Sequence, residues 1–395
     1  MAPNVFIVAA KRTAFGAFGG TLKNYTATEL GGIAAKAAIN TLPKNVPIDS
    51  VIFGNVCQTD NSAAYLARHV GHRAGLPIHV PALTINRLCG SGFQSVINAV
   101  QEIRAGDANI VLTGGAENMS KSPYTLNDVR WGTRYGIDLK LEDSLAATLV
   151  DQYPTKTPMG ITAEILGEKY NITREQVDEY ALSSQNRWAA ANEAGRFKQE
   201  IVPIEIKTKK GVQVFDTDEH PRPNTTIESL AKLPSVFKKD TGLVTAGNAS
   251  GISDGAGAVI VAGENAVNKY SLTPLAKIVS YFVTGVEPTI MGIGPVFAIK
   301  GVLEKAKLKL SDIEIIEVNE AFAAQYLAVE KELGLNRNIT NTNGGAVALG
   351  HPLAASGSRI LAHLVSELHR TKKQYAIGSA CIGGGQGIAI ILERI

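Results

Sequence analysis

The sequence predicts an α/β fold built from two copies of one layered unit with a different segment inserted between them. Three observations predict it. Similar stretches recur in the same order, apolar strand-like runs alternate with amphipathic helical runs, and residues 120–247 change in composition. Val5-Phe6-Ile7-Val8-Ala9-Ala10 reads as a buried first strand that the protein retains, although residues 1–28 carry Lys11, Arg12 and Lys23 with no acid before Glu29, a faint likeness to a mitochondrial transit segment. Ile48-Asp49-Ser50-Val51-Ile52-Phe53 and Leu310-Ser311-Asp312-Ile313-Glu314-Ile315-Ile316 open the two copies. Asp49 to Gly92 spans 43 positions and Asp312 to Gly357 spans 45; Gly92 to Gly114 spans 22 and Gly357 to Gly378 spans 21. In the first copy a helix runs to about Arg104, turns at Gly106-Asp107, and leads to strand Ile110–Thr113 and Gly114-Gly115. In the second, a helix bearing Ile360, Leu361, Leu364, Val365 and Leu368 leads past Lys372-Lys373 to strand Tyr375–Ile377. A turn from Cys381 to Gly387 and strand Ile388–Leu392 follow. Each copy therefore reads as a layered α/β domain with a mixed sheet. The segment between is richer in charge and proline, and Thr173-Arg174-Glu175-Gln176 is a capping box opening a helix through Val177, Tyr180, Ala181 and Ser184. The expected division is 1–119 with 248–271 returning to it, a loop domain at 120–247, and a second half at 272–395.

With 395 residues, 45% hydrophobic and 19% charged, the chain has a globular composition and length for two or three domains. A net charge of +3 gives no whole-protein argument for nucleic acid. Lys207, Lys209, Lys210, Arg222, Lys232, Lys238 and Lys239 form a basic stretch that reads either as a solvated face or as a partner for a phosphorylated ligand. No run of 18 apolar residues suggests a membrane span. Three cysteines are too few for a disulfide framework and favour a reducing compartment.

Cys89, in Arg87-Leu88-Cys89-Gly90-Ser91-Gly92, precedes a helical run through Phe93, Val96, Ile97, Val100 and Ile103. A sulfur at a helix N-terminus meets unpaired N–H groups and partial positive charge, which predicts a thiol pKa drawn towards or below neutrality. His351, in Gly350-His351-Pro352, holds the corresponding place in the second copy. Equivalent places meet across a pseudo-twofold, so a neutral imidazole there could take the thiol proton; taken alone, a histidine in a Gly-Pro turn reads more often as structural than as catalytic. Cys381 reads as a small buried residue or as a group needing close backbone approach, while Cys57 reads as packing. Asn319-Glu320-Ala321-Phe322 follows apolar strand Ile313–Val318, where α/β sheets place functional groups, and is otherwise an Asx turn or helix cap. Gly90-Ser91-Gly92-Phe93-Gln94-Ser95 misses the third glycine of a dinucleotide fingerprint, Gly383–Gly387 lacks a phosphate-loop ending, and no ligand pair supports zinc.

Taken together, Asn86-Arg87-Leu88-Cys89-Gly90-Ser91-Gly92, Gly247-Asn248-Ala249-Ser250-Gly251, Asn319-Glu320-Ala321-Phe322, Gly344-Gly345-Ala346 with Gly350-His351-Pro352, and Cys381-Ile382-Gly383-Gly384-Gly385 closely resemble the thiolase family over essentially the whole chain. The resemblance implies a five-layered α-β-α-β-α fold of two duplicated halves with an inserted loop domain. It implies that Cys89 carries the acyl group, His351 activates it and Cys381 exchanges the α-carbon proton. It also gives Asn319 a water for the enolate oxygen, and the N–H groups of Cys89 and Gly383 the tetrahedral oxyanion. Ser250 is implied near the pantetheine, and Arg222 and Thr225 near the nucleotide end of coenzyme A. Coenzyme A is then a co-substrate, with no tightly bound cofactor and no metal. Pro158 before Met159-Gly160, and Asp218-Glu219-His220-Pro221-Arg222-Pro223, are similar to the degradative, fatty acid β-oxidation members, which cleave 3-ketoacyl-CoA to acetyl-CoA and a shortened acyl-CoA. With no Ser-Lys-Leu ending after Glu393-Arg394-Ile395, the expectation is a mitochondrial matrix enzyme. Met159 and Phe237 are expected to shape the acyl pocket, and a homotetramer, a dimer of dimers, is implied by the family. The alternatives are acetoacetyl-CoA synthesis by Claisen condensation and non-catalytic acyl-CoA binding.

Overall fold

The computed structural model describes residues 3–153, 156–209 and 211–395, so Lys210 of the basic stretch lies outside the described residues. Nine strands form the main path of the sheet: β1 (Val5–Thr13), β2 (Ser50–Gly54), β3 (Ala82–Ile85), β4 (Ile110–Asn118), β5 (Ser253–Gly263), β6 (Ala276–Gly285), β7 (Ile315–Val318), β8 (Tyr375–Ile382) and β9 (Gln386–Arg394). Their lateral order is β7-β8-β9-β6-β1-β5-β4-β2-β3. The duplication is written in the pairing. In the first half β1–β5 and β5–β4 are antiparallel and β4–β2 and β2–β3 parallel. In the second, β6–β9 and β9–β8 are antiparallel, β8–β7 is parallel, and a parallel bridge from Ile316 to Thr340 stands where β3 stands in the first. Even the irregularity repeats: the register slips between Ile7 and Ala9 in β1 and between Ile278 and Ser280 in β6.

The two mixed sheets expected from the repeats are one. β1 and β6 pair antiparallel through Phe6 with Lys277 and Ile7 with Ala276, joining the halves edge to edge. The joined sheet closes round two central helices, α3 (Ser91–Ala105) and α9 (Ala355–Thr371), which pack on each other and share one core with strands of both halves. Phe93, Val96, Ile97 and Val100 of α3 and Ile360, Leu361, Leu364, Val365 and Leu368 of α9 are buried in it, as their spacing predicts. Outside, α1 (Ala27–Ile39) and α2 (Leu66–Arg73) cover the first half of the sheet. α6 (Gly294–Ala306) covers the second, with α7 (Ala323–Leu333) in the same outer core. This is the α-β-α-β-α layering.

Two sequence expectations need correction. Gly114-Gly115 does not end a strand, because β4 continues to Asn118; the glycines are needed mid-strand, where a Cβ on Gly115 would lie 1.9 Å from the Ala354 carbonyl oxygen. Cys381 is not in a turn either. β8 extends to Ile382, pairing Cys381 with Gly387, and only Gly383–Gly385 turn.

The inserted segment carries short hairpins and two substantial helices, α4 (Met159–Lys169) and α5 (Arg174–Glu193). The capping box forms as predicted: Gln176 N donates to Thr173 Oγ1 (3.3 Å) and Thr173 N donates to Gln176 Oε1 (3.0 Å). α5 buries Val177, Tyr180, Ala181 and Ser184, and Tyr180 stacks on Tyr326 of α7 with ring centroids 4.2 Å apart. Such a pair contributes about 0.5–1.5 kcal/mol beyond its burial. A second anchor is ionic. Buried Arg12 of β1 donates to Glu200 (2.7 Å) and to both oxygens of Asp218 (2.7 and 3.1 Å), and His363 Nδ1 of α9 donates to Glu200 (2.7 Å). One network thus joins both halves to the insertion.

Candidate active site

Cys89 sits in a 3-10 turn, Leu88–Gly90, at the point where β3 hands over to α3. The turn is held by its own polar residues. Arg87 N donates to Ser91 Oγ (2.8 Å), Ser91 Oγ donates to the Leu88 carbonyl (2.7 Å), and Leu88 N donates to Asn86 Oδ1 (2.9 Å). α3 meets the first turn of α9 backbone to backbone: a Cβ on Gly92 would lie 2.5 Å from Ser358 N, and one on Gly357 would lie 2.4 Å from Phe93 N. That approach brings the end of the turn after α8 (Ala346–Leu349) towards Cys89.

His351 lies in that turn, buried, its backbone N donating to the Gly251 carbonyl (2.9 Å). Its Nδ1 meets Ser356 Oγ at 2.5 Å, and Ser356 Oγ donates to the Pro352 carbonyl at 3.1 Å. This places the proton on Nδ1 and leaves Nε2 as an acceptor, towards which Asn319 Nδ2 donates at 3.3 Å. Burial, with the charge of Arg359 added, holds the imidazole well below its ordinary range, at about 3, so it is neutral. Asn319 follows β7, its N donating to the Ser379 carbonyl (2.9 Å), and its buried Oδ1 has no protein partner among the described residues.

Cys381 is fully buried against Met291 and Ala321, with Met159 and Phe322 alongside. Burial first, and the neighbouring Cys89 second, push its thiol far above the ordinary range. For Cys89 the expected downward shift is not found. Burial pushes its thiol up to about 11, outweighing the N–H groups of Gly383 and of Cys89 itself, which favour the thiolate. One donor comes from the turn that carries Cys89 and the other from the turn between β8 and β9, and burial outweighs both. The resting pair is therefore thiol and neutral imidazole.

Cys89, His351 and Ser250 line a cavity of about 400 Å³ whose remaining wall is largely apolar, including Leu149, Met159, Phe237, Met291 and Phe322. Arg222 and Thr225 do not line it. They form a surface turn in which Thr225 Oγ1 donates to the Arg222 carbonyl (2.7 Å), with Arg222 exposed. The adjoining His220 packs on Gly251, which lines the cavity, and bonds through Nδ1 to the Ala348 carbonyl (2.8 Å). Lys238 of the basic stretch pairs with Glu168.

Sequence reasoning missed Ser356 and the role of Glu320. Fully buried Glu320 accepts from Tyr180 Oη (2.6 Å), Ser184 Oγ (2.8 Å), Asn341 Nδ2 (3.0 Å) and Val347 N (3.1 Å), fastening the backbone next to Asn319 to the insertion and to α8. Its position beside Asn319 was the available signal; Ser356 carried none.

The family model for the thiolase N-terminal domain matches residues 5–265, and that for the C-terminal domain matches residues 272–394. Over 392 residues the chain is 63% identical to 3-ketoacyl-CoA thiolase, mitochondrial, of Mus musculus, covering 99% of this chain and 98% of the other. It superposes on a crystal structure of human mitochondrial 3-ketoacyl-CoA thiolase with a TM-score of 0.98 and 61% identity, each chain covered in full. A second crystal structure of that human enzyme, in complex with CoA, gives a TM-score of 0.97 at 60% identity, covering 100% of this chain and 98% of that one. With both domain models matched and identity this high from end to end, the chain belongs to the thiolase family.

Proposed function

We propose that this chain cleaves 3-ketoacyl-CoA with coenzyme A, giving acetyl-CoA and an acyl-CoA two carbons shorter, in fatty acid β-oxidation in the mitochondrial matrix. The observation that carries the reading is the cavity that Cys89 and His351 share, with the N–H groups of Cys89 and Gly383 favouring a charged sulfur. His351 Nε2, neutral and aimed by Ser356, takes the Cys89 proton as the sulfur attacks the 3-keto carbon. The N–H groups of Cys89 and Gly383 receive the oxyanion. Cleavage of the C2–C3 bond leaves the acyl group on Cys89 and the electron pair on the acetyl-CoA enolate, whose oxygen faces protonated His351 and a water on Asn319. Cys381, held as a thiol, protonates the enolate carbon. Its thiolate then takes the proton of incoming coenzyme A, whose sulfur displaces the acyl group. The Cys89 sulfur recovers its proton from His351, and both cysteines end as they began.

Ser250 on the cavity wall supports a pantetheine contact, and the surface turn at Arg222 and Thr225 suits the nucleotide end, which extends beyond the cavity. The homotetramer rests on two exposed features: the edge strand β3 with Leu83, and the 124–141 segment presenting Tyr124, Trp131, Tyr135 and Ile137. The three-part division at 119/120, 247/248 and 271/272 remains our reading, supported by the repeated pairing on either side of the insertion.

The test is coenzyme A-dependent cleavage of 3-ketoacyl-CoA substrates from four to sixteen carbons by wild type and Cys89→Ala. Activity on medium and long chains, abolished in the variant, is expected. Activity confined to acetoacetyl-CoA would overturn the β-oxidation role, and none on any substrate would leave an acyl-CoA-binding protein.

A further inference from the structure

We propose that Glu117 is a positioning residue for the Cys89–His351 reaction, its carboxylate fastening the loop behind Cys89 to the start of the helix that follows His351. Glu117 is the penultimate residue of β4 and is fully buried. Its Oε1 accepts from Cys57 N (2.9 Å) and Asn55 Nδ2 (3.1 Å). Its Oε2 accepts from Ala354 N (3.0 Å) and Val56 N (3.2 Å). Among the described residues no cation pairs with it within ion-pair distance. A buried carboxylate without a counter-cation is expensive; three donors from residues 55–57 and one from Ala354 offset part of that cost, and burial still lifts the carboxyl to about 7.

The donors decide what the residue does. Asn55, Val56 and Cys57 follow β2, and Val56, Cys57 and Ala354 share an apolar cluster with Leu88, Cys89 and Leu353. Ala354 lies three residues after His351 and two before Ser356, the partner of His351 Nδ1. One carboxylate therefore spans from the packing behind the sulfur to the turn that aims the imidazole, and it touches neither reacting group. Nothing in the proton transfers above uses Glu117, so its energetic cost is explained by geometry: it sets how closely the two halves of the site meet.

The inference rests on the proposed cleavage activity, and its test separates the two. The full chain is compared as wild type, Cys89→Ala, Glu117→Gln and Glu117→Asp. Glutamine keeps the size but turns one oxygen into an amide facing two N–H donors; aspartate keeps the charge but is one methylene too short to hold both sides. In both variants kcat for coenzyme A-dependent cleavage is expected to fall about 10- to 100-fold, with KM for 3-ketoacyl-CoA and coenzyme A within about three-fold. Alkylation of Cys89 by iodoacetamide uses the same proton transfer to His351 but no substrate, so it is expected to slow in step with kcat in Glu117→Gln. Wild-type kcat in either folded variant, a KM rise in step with the kcat loss, wild-type alkylation beside a reduced kcat, or loss of folded protein in both overturns the proposal. An inactive wild type refutes the cleavage reading itself, and this inference with it.

Discussion

The close backbone approach between α3 and α9 near the site lets a single methyl group be used as a spacer. In Gly92→Ala the new Cβ would lie 2.5 Å from Ser358 N and 2.7 Å from the Ala354 carbonyl oxygen. Unstrained heavy-atom contacts settle near 3.5 Å, so the facing turn of α9 must retreat by about 1 Å. Both sides of the contact are backbone, and no side-chain tip can swing aside. Ser356, which holds His351 Nδ1, rides on that turn, while Cys89 lies three residues before Gly92. A displacement of about 1 Å at a reacting pair costs on the order of 100-fold in rate, or about 2.7 kcal/mol of barrier. Overpacking costs about 1–3 kcal/mol of stability, which a domain with a margin of about 5–15 kcal/mol survives. The assay is kcat for cleavage beside a thermal unfolding curve. Gly263→Ala serves as the control, since its Cβ would lie 2.9 Å from Ile103 at the far end of α3 and should cost stability without kcat. A folded Gly92→Ala protein with kcat within three-fold of wild type would refute the argument that this contact sets the distance between nucleophile and base.

Three further outcomes are expected. Asn319→Ala removes the donor to His351 Nε2 and the buried carbonyl beside it, and kcat should fall about 100- to 1,000-fold with little change in KM, measured by steady-state kinetics. Ser356→Ala frees the imidazole to take its other tautomer; kcat and the rate of Cys89 alkylation should both fall about ten-fold or more. Burial alone would raise Glu200, but the charges of His363 and Arg12 and their hydrogen bonds bring it from 4.5 down to about 2. The unfolded chain then binds more protons between those values, so this contribution to stability is complete above pH 4.5 and fades as the pH falls towards 2. Denaturant unfolding of wild type and Glu200→Gln across that window should give a shallower pH slope in the variant, and equal slopes would contradict the assignment.

Much of the architecture was legible because duplication leaves its spacing in the chain: the strands and glycines around Asp49 and Asp312 announce the same unit twice. The misreadings share one cause, contacts with partners distant in sequence. Gly114-Gly115 looked like a strand end because nothing local says that Ala354 presses on the strand there. Cys381 looked like a turn residue because the turn is shorter than its glycine run. The lowered Cys89 thiol was inferred from helix polarity alone, whereas burial by both halves decides its titration. Glu117 was invisible, since its donors come from residues 55–57 and 354. Among the expected coenzyme A contacts, Ser250 lines the cavity while Arg222 and Thr225 stand outside it, a distinction that one dimension does not contain.

The seam between β1 and β6 has a mechanical consequence. Because hydrogen bonds run without a break from β7 to β3, and α3 and α9 are wedged together inside, the two halves have no hinge between them. Substrate entry and product departure must be accommodated by the walls that the insertion contributes, Leu149, Met159 and Phe237 among them. The catalytic frame thus behaves as a fixed anvil under a separately built cover, and changes of acyl chain length can be made in the cover without altering the spacing at which the chemistry occurs.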